Sequence, residues 1–461
     1  MPIKTRFGAL VTVVLFAAAS LPAGGQSGTC LGAGCPDSSF GASGIVRLPS
    51  FGGAIGAIAV QNFGGEQRIV ALNTSTGAWK LTRYRFTPDP ANPDKTIVAV
   101  DTSFGVSGSV TKSASGYEFT ASLGLVIQPD DNKIVVAGTV RASAKRAPQV
   151  LAVVRYTADG QEDVSFGSGG TASLPNWGTS TAPRLQSDGK ILLAVPVYTG
   201  GVGDAVIVRL DQAGQLDWTF GVEGVAAFAE IGYPHALATQ WVNGEEKIVL
   251  AAGVPNTAAL VRANADGARD MSFAGGRGVV ETSIAGTDPS TGFAELAIDA
   301  LGRIVAAGSG SYQTSGGTVY VVLAARFSPD GIPDLGFGNG GVFTAVNHVW
   351  TRNVLIGSDG KILLVGLPMP TDWNTRGLVL WRLNDNGWPD TDFGEDGLVA
   401  TVVTQDPMSS MWPGLDVGPG ACPHAAFVGG GSHFIVGGSA YMPQGRKRLF
   451  VEVGALGRFL Y

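Results

Sequence analysis

The chain has 461 residues and a formal net charge of −6 at pH 7, with 31 Lys and Arg against 37 Asp and Glu. This charge argues against nucleic acid or an anionic membrane surface as the main partner. Hydrophobic residues make up 45% of the chain, charged residues only 15%, and Gly occurs 68 times. Such a chain can bury a large core and turn often, which indicates an all-β fold.

The first 23 residues are typical of an export signal. Lys4 and Arg6 precede a nearly continuous apolar stretch at residues 7–20, and small residues follow it. This stretch is shorter than the roughly 20 apolar residues that a membrane span needs. We therefore predict a signal peptide at residues 1–23, a location outside the cell or in the periplasm and cell envelope, and no transmembrane segment after its removal.

Residues 24–36 form a predicted linker that contains two of the three cysteines, Cys30 and Cys35. The third, Cys422, lies near the other end of the chain. In an oxidising compartment two of the three can pair. A Cys30–Cys35 loop and a bridge from this linker to Cys422 are both open, and Cys35 with Cys422 is the candidate pair that would join the two ends.

A motif of the form Asp-x-x-Phe-Gly recurs along the rest of the chain, with Ala274 replacing the Gly in one copy. The copies begin at Asp37, Asp101, Asp163, Asp217, Asp270, Asp334 and Asp390. Before each copy, except at the N-terminus, two further patterns occur in a fixed order. The first is a tight turn, a basic residue and an apolar strand, as in DGKILLA. Its basic residues are Arg68, Lys133, Lys190, Lys247, Arg303 and Lys361, with a weak copy around Phe434.

The second pattern is an apolar strand that ends in Arg and a turn. We assign this position to Arg85, Arg155, Arg209, Arg262, Arg326 and Arg382, and to Glu452 in the last copy. Short runs rich in β-branched residues, bounded by Gly, Asp and Asn, are typical of strands and hairpin turns. Each repeat thus predicts four antiparallel strands: one before the hairpin turn, one after it, the Arg strand, and one after Phe-Gly.

Seven copies of this unit predict a seven-bladed β-propeller at residues 37–461, a single domain. The N-terminal strand after Asp37 would complete the last blade and close the ring, which removes an open sheet edge. An open solenoid is the alternative, but solenoids usually need atypical capping repeats. The two ends of this chain look instead like parts of one repeat.

The DGKILLVG hairpin, the Arg strand and the DxxFG motif, taken together, resemble the delta-60 repeat family of bacterial exported proteins. The resemblance extends from about Asp37 to the C-terminus. It implies a repeat architecture and an envelope or extracellular location, and it implies no catalytic residue.

The repeated residues are interpreted as scaffold. Five Arg–Asp pairs are eight residues apart, as in Arg155 and Asp163, which favours turn stabilisation over a functional ring of charges. The repeated Phe residues are expected to pack between blades. The four histidines lack metal-type spacing, and acidic turns such as Asp130–Asp131 usually bind nothing, so no metal site, cofactor or catalytic residue is assigned.

Function is expected where the copies differ, on long loops at one face of the blades. Aromatic residues in or beside these loops are the candidate binding residues: Trp177, Trp350, Trp373, Trp412 and Tyr441. We predict a monomeric, non-enzymatic protein that binds a protein or carbohydrate partner there. The rivals are a purely structural surface protein and a lyase or hydrolase whose site would be drawn from His348, Asp372, Asp416 and His424.

Overall fold

The computed structural model describes residues 5–6, 33, 37–40, 45–48, 55–75, 77–113, 116–143, 147–197, 204–229, 231–254, 257–283, 292–315, 317–346, 349–368, 376–403, 424–428, 433–444 and 449–461. These residues form β-strands and turns. The chain divides into two compact units. Unit 1 consists of Met1–Ala23, Ser180–Met369 and Trp381–Asp390, and unit 2 consists of Gly24–Thr179, Pro370–Leu380 and Thr391–Tyr461.

Two short strands precede the blades. They are β1 (Thr5–Arg6) and β2 (Ile45–Leu48). Blade 1 follows, with β3 (Ala57–Phe63), β4 (Glu66–Ser75), β5 (Ala78–Asp89), β6 (Asn92–Val100) and β7 (Ser109–Lys112). β6 and β7 pair with different parts of β5, so that β6 is an insertion into a four-stranded blade. Blade 2 is a plain four-stranded sheet of β8 (Tyr117–Ile127), β9 (Ile134–Ala142), β10 (Gln149–Tyr156) and β11 (Thr171–Leu174).

Blades 3 to 5 repeat this arrangement within unit 1. Blade 3 contains β12 (Arg184–Leu185), β13 (Ile191–Val197), β14 (Asp204–Leu210) and β15 (Val225–Phe228). Blade 4 contains β16 (Tyr233–Val242), β17 (Glu245–Val254), β18 (Thr257–Ala263) and β19 (Val279–Ser283), with β1 added in parallel to β19. Blade 5 contains β20 (Gly292–Ile298), β21 (Ile304–Thr314), β22 (Gly317–Phe327) and β23 (Val342–Val346).

Blade 6 is the sheet of β24 (Val349–Ile356), β25 (Ile362–Pro368), β26 (Arg376–Leu383) and β27 (Leu398–Val403). A further sheet joins the two ends of the chain in the order β2-β30-β29-β28. Its C-terminal strands are β28 (His424–Val428), β29 (His433–Gln444) and β30 (Leu449–Leu460).

The fold is an all-β propeller of four-stranded antiparallel blades, as predicted, but the predicted number of seven blades is wrong. Six sheets are built from consecutive strands of one repeat. Among the described residues the seventh copy contributes β28 to β30, and its sheet includes β2 from the N-terminal part of the chain. Seven signatures therefore do not correspond to seven blades of consecutive strands, and the seven-bladed ring is replaced by a six-bladed propeller.

Packing between neighbouring blades explains why the strands are apolar on both faces. Ile191–Val195 in β13 are all buried, because each face of a blade is covered by other structure. In unit 1 one core cluster includes Val249 and Leu260 of blade 4 with Ile304 and Leu323 of blade 5. In unit 2 an equivalent cluster lies between blades 1 and 2. The core is thus a series of layers between blades.

The strand register corrects two assignments of the repeated Arg. Arg155, Arg209, Arg262 and Arg326 each lie opposite the second residue after the basic hairpin residue. In blade 1 this position belongs to Arg83, opposite Val70, and not to Arg85, which is exposed. The insertion of β6 extends β5 beyond Arg83 and makes Arg85 look equivalent in the sequence.

In the last copy the same register position belongs to Arg458, opposite Ile435, and not to Glu452. The sequence comparison aligned Glu452 with Arg because both follow an apolar run. Strand β30 is long enough to carry Arg458 six residues further along.

Candidate functional site

The repeated Arg and Asp form an ion pair in six of the seven copies of the motif. The Arg Nε lies 2.6–2.8 Å from the Asp Oδ2 in the pairs Arg83–Asp101, Arg155–Asp163, Arg209–Asp217, Arg262–Asp270, Arg326–Asp334 and Arg382–Asp390. In five of these pairs the guanidinium also lies 4.4–4.9 Å above the ring of the following Phe. Each Asp accepts a second hydrogen bond from the Ser or Thr two residues later wherever one is present, as Asp163 does from Ser165 Oγ at 2.5 Å.

The same Arg reaches into the next blade. Arg83 Nη1 donates to Ala158 O at 2.7 Å in unit 2, and Arg262 Nη1 donates to Pro329 O at 2.5 Å in unit 1. A buried Gln on the first strand completes the contact, since Gln240 donates to Gly302 O at 2.7 Å and accepts from Arg262 at 3.1 Å. We call this Arg, Asp and Gln set the blade clamp.

The Gln of the clamp was missed by sequence comparison. Gln61, Gln128, Gln186 and Gln240 are all buried. The spacing from Gln to the basic hairpin residue varies, from Gln186–Lys190 to Gln240–Lys247, and Asp299 and Gly357 replace it in blades 5 and 6. Because the spacing varies and two blades have another residue, the Gln does not form a recognisable sequence repeat.

The clamp favours the charged form of Asp163 and Asp217. Burial alone would raise the pKa of Asp163, but hydrogen bonds from Ser165 and the charge of Arg155 outweigh it and lower this pKa to about 2. For Asp217 burial again opposes ionisation, and hydrogen bonds from Thr219 and Lys190 lower the pKa to about 2. Both carboxylates are held by a cation and by the hydroxyl of their own turn, so we interpret the clamp as a structural device.

The structure describes the side chains of two of the five predicted binding aromatics. Trp350 lies on β24, is 41% exposed, and has the Arg352 guanidinium 5.6 Å from its ring centroid. Trp177 is half-buried, and its carbonyl accepts a 2.6 Å hydrogen bond from Leu151 N in its own blade. Tyr441 lies on β29, but its side chain is outside the described residues, as are Trp373 and Trp412.

The remaining candidates of the sequence analysis also fall outside the described residues. These are Cys30, Cys35 and Cys422, and the rival catalytic residues His348, Asp372 and Asp416; His424 begins β28, but its side chain is not described. Among the side chains that are described, no three His, Cys, Asp or Glu residues are grouped to hold a metal ion. The described part of the chain also contains no helix with the length and hydrophobicity needed to span a membrane.

A second surface, not predicted from the sequence, carries large exposed apolar side chains on the short turns of unit 1. Trp218 is 70% exposed and Trp241 is 59% exposed. The remaining members are Val222, Met271, Leu301, Ile332, Leu335 and Trp388. We call this set the turn surface. Trp218, Met271 and Leu335 all occupy the variable position directly after the Asp of the repeated motif.

Hydrogen bonds link the turns of this surface from one blade of unit 1 to the next. Ser187 N donates to Glu246 at 3.0 Å, and Gln240 reaches Gly302 in the next hairpin. The outer turns are linked by backbone hydrogen bonds of 2.7–2.8 Å, from Gly221 N to Asp266 O, Ala274 N to Asp330 O and Gly338 N to Asn386 O. A recess of about 420 Å³ opens among these turns, lined by the acidic residues Asp188, Glu246 and Asp266 and by the basic residues Lys190 and Arg209.

The turn surface is also acidic. In several of its ion pairs the acid is the more exposed partner: Glu245 is 72% exposed against 11% for Lys247, and Asp385 is 53% exposed against 19% for Arg303. Asp188, Glu223, Asp266 and Asp330 are exposed as well. Solvent therefore meets aromatic rings and carboxylates on this side of unit 1.

Three segments of the chain, residues 130–166, 186–220 and 357–393, match the family described as "Domain of unknown function (DUF5122) beta-propeller". Together these segments cover less than half of the chain. They agree with the propeller fold and with the repeat units defined by Asp163, Asp217 and Asp390. The delta-60 repeat naming is not given by this match and stays a prediction.

No curated protein matches the sequence. Among solved structures, the polysaccharide lyase Uly1 is similar over 88% of this chain and 90% of its own, with 10% identity and a TM-score of 0.44. A glucose dehydrogenase covers 70% of this chain and 95% of its own, with 10% identity and a TM-score of 0.40. Drosophila Semaphorin 1b, extracellular domains 1-2, is similar over 90% of this chain and 86% of its own, with 10% identity and a TM-score of 0.39. Similarities this distant do not indicate an activity.

Proposed function

We propose that this protein is an exported, non-enzymatic β-propeller whose turn surface binds a protein partner. The observation that carries the proposal is the exposure of Trp218 and Trp241 on turns whose backbones are fixed by the blade clamp. Large aromatic side chains on rigid supports contribute most of the binding energy in many protein interfaces. Exposed apolar groups that are numerous and rimmed by polar residues are typical of protein interaction sites.

The partner is inferred to present an apolar patch with a basic rim. The exposed carboxylates around the rings, Glu245 and Asp385 among them, would attract Lys and Arg side chains. The recess lined by Asp188, Glu246 and Asp266 has room for one such side chain. A partner of this kind would associate faster at low ionic strength, because exposed charges steer the encounter.

Export is proposed from the N-terminal sequence, in which Lys4 and Arg6 precede the apolar stretch at residues 7–20. N-terminal sequencing of the protein recovered from producing cells tests it. A mature chain that begins near Gly24 is expected, and a chain that still begins at Met1 would contradict export by a cleaved signal.

Binding at the turn surface can be tested by site-specific photo-crosslinking. A photoreactive phenylalanine analogue at position 218 or 241 should give the same protein adduct in the envelope fraction of producing cells. The partner, once identified, should bind W218A/W241A at least about tenfold more weakly than the wild type, since a central interface Trp contributes 2 kcal/mol or more.

The matched control is Trp350→Ala, which removes an exposed Trp from β24. It should leave the affinity for the crosslinked partner unchanged. Equal loss in both variants, or no adduct from either turn position, would argue against the turn surface as the binding site.

The long-loop face is kept as a second candidate for protein or glycan binding, because Trp350 is exposed there beside Arg352. Trp373, Trp412 and Tyr441 belong to this candidate on sequence grounds alone.

A further inference from the structure

The first strands of blades 3 to 6 carry polar side chains that are not repeated in the other described blades. We compare the residue of the first strand that pairs with the fourth residue after the basic hairpin residue. This residue is small in three blades: Ala57 in blade 1, Gly124 in blade 2 and Ala236 in blade 4. In blades 5 and 6 the same position holds Glu295 and Asn353. A small residue is therefore replaced by a polar one in two consecutive blades.

A second departure from the repeat pattern lies on the first strand two residues C-terminal to this position. Arg184 of blade 3 is opposite Leu192, where the other described first strands have the apolar residues Ala59, Val126, Ala238, Ala297 and Leu355. Arg184 Nε donates to Leu237 O of blade 4 at 2.9 Å, and its Nη2 lies 2.9 Å from Glu295 Oε1 of blade 5. Arg184 of blade 3 and Glu295 of blade 5 thus form an ion pair beside the first strand of blade 4.

A bulge adds an extra polar residue to the first strands of blades 4 and 6. The register shifts between Pro234 and Ala236 in β16 and between Thr351 and Asn353 in β24, which leaves His235 and Arg352 as the extra residues. Bulges of this kind redirect a side chain and are frequent next to binding sites. His235 and Arg352 are both exposed.

Hydrogen-bond acceptors remain free in this group. The buried Asn353 Oδ1 has no hydrogen-bond donor among the described residues. Glu295 Oε1 accepts from Arg184 and from Leu296 N, whereas within the described part of the chain no donor reaches Oε2. A buried acceptor without a donor, such as Asn353 Oδ1, is costly unless a ligand or water supplies one, whereas Glu295 belongs to a side chain that is 15% exposed.

We propose that these residues bind an acidic carbohydrate of the uronic acid type. The free oxygens of Glu295 and Asn353 would accept hydrogen bonds from sugar hydroxyls, and Arg352 would pair with a carboxylate. Trp350 and Tyr233, both exposed at the same end of their strands, offer flat apolar surfaces to a sugar ring. A simple inorganic anion would use the Arg but would leave the two acceptors unsatisfied.

The test uses the full mature chain and two trisaccharides, trigalacturonate as the acidic probe and maltotriose as the neutral one, in isothermal titration. Wild type is expected to bind trigalacturonate and to bind maltotriose much more weakly. R352A and E295Q should each weaken trigalacturonate binding about tenfold or more, as expected for losing one hydrogen bond to a charged group.

Arg141→Ala is the matched control, because Arg141 is an exposed Arg paired with Glu118 on blade 2. It should bind trigalacturonate as the wild type does. No binding by the wild type at millimolar concentration, equal binding of both trisaccharides, or equal loss in R141A and R352A would each overturn the proposal. Since R352A changes an exposed side chain, a folded variant is expected, and thermal unfolding verifies it. These outcomes are independent of Trp218 and Trp241.

Discussion

The side chain of Arg262 is completely buried and donates from Nε to Asp270 Oδ2 across 2.7 Å. Its Nη1 donates to Gln240 Oε1 and to Pro329 O of the following blade. The ring of Phe273 lies 4.7 Å from the guanidinium carbon. One Arg therefore joins its own blade to the next through neutral and charged acceptors.

Replacement of Arg262 by Met should strongly destabilise the protein, because it removes the direct partner of the buried Asp270 and leaves only Lys247, whose Nζ is 4.0 Å from Asp270 Oδ2. Removing one partner of a buried pair typically costs about 3–5 kcal/mol. The free energy of unfolding, measured by urea denaturation at pH 7, should fall by an amount in that range.

The control for this experiment is R141A, which breaks the exposed pair with Glu118, where the side chains are 47% and 42% exposed. Exposed pairs contribute about 0–1 kcal/mol. If R262M costs no more than R141A, the clamp is not a major source of stability.

The Arg–Asp pairs of the blade clamp could be predicted from the sequence in most, but not all, of the repeats. The Arg–Asp spacing of eight residues identified the pairs of five blades, because both residues lie on one continuous strand and turn. It failed for Arg83, where an inserted strand separates Arg from Asp101, and for Arg458, where no Asp follows. Periodicity detects partners only where the connection between them has constant length.

The turn surface was not predicted because its residues occupy the variable positions of a repeated motif. Trp218, Met271 and Leu335 follow the motif Asp in three consecutive copies, and their exposure depends on which way the turn directs them. The Arg184–Glu295 contact joins blades 3 and 5 and residues that are 111 positions apart. A contact over this sequence separation cannot be predicted from a local sequence pattern.

Acid should destabilise the protein through the clamp carboxylates. Asp163 has a pKa of about 2 in the folded chain, against about 3.9 for an unfolded Asp. A folded pKa below the unfolded one stabilises the protein above about pH 4, and this contribution disappears as the pH falls towards 2. Urea midpoints from pH 7 to pH 2 should drop most steeply in that interval.

Asp163→Asn tests the assignment of this pH dependence. The variant should be less stable than the wild type at pH 7 and should show a shallower decrease between pH 4 and pH 2. D94N, at an exposed position on β6, should keep the steep wild-type decrease. Parallel curves for D163N and the wild type would contradict the assignment.

The predicted disulfide can be tested by peptide mapping without reduction. A Cys35–Cys422 product is expected if the linker is covalently joined to the segment before β28. A Cys30–Cys35 product together with a free Cys422 would exclude it.

Gly331 should be among the least replaceable residues of the repeat. It has a φ of +76°, and a Cβ added there would lie 2.4 Å from the Phe273 ring. Gly244 has a similar φ of +81°, but a Cβ there would meet no atom within 4 Å. Gly331→Ala thus combines backbone strain with a steric clash, whereas Gly244→Ala carries the strain alone, about 1 kcal/mol for a non-Gly residue in this region. Thermal unfolding should show a clearly larger decrease for G331A, since the Phe between two blades has no space into which to move. Equal decreases would mean that the ring of Phe273 can shift, and that the contact between the motif Phe and the next turn is looser than its geometry indicates.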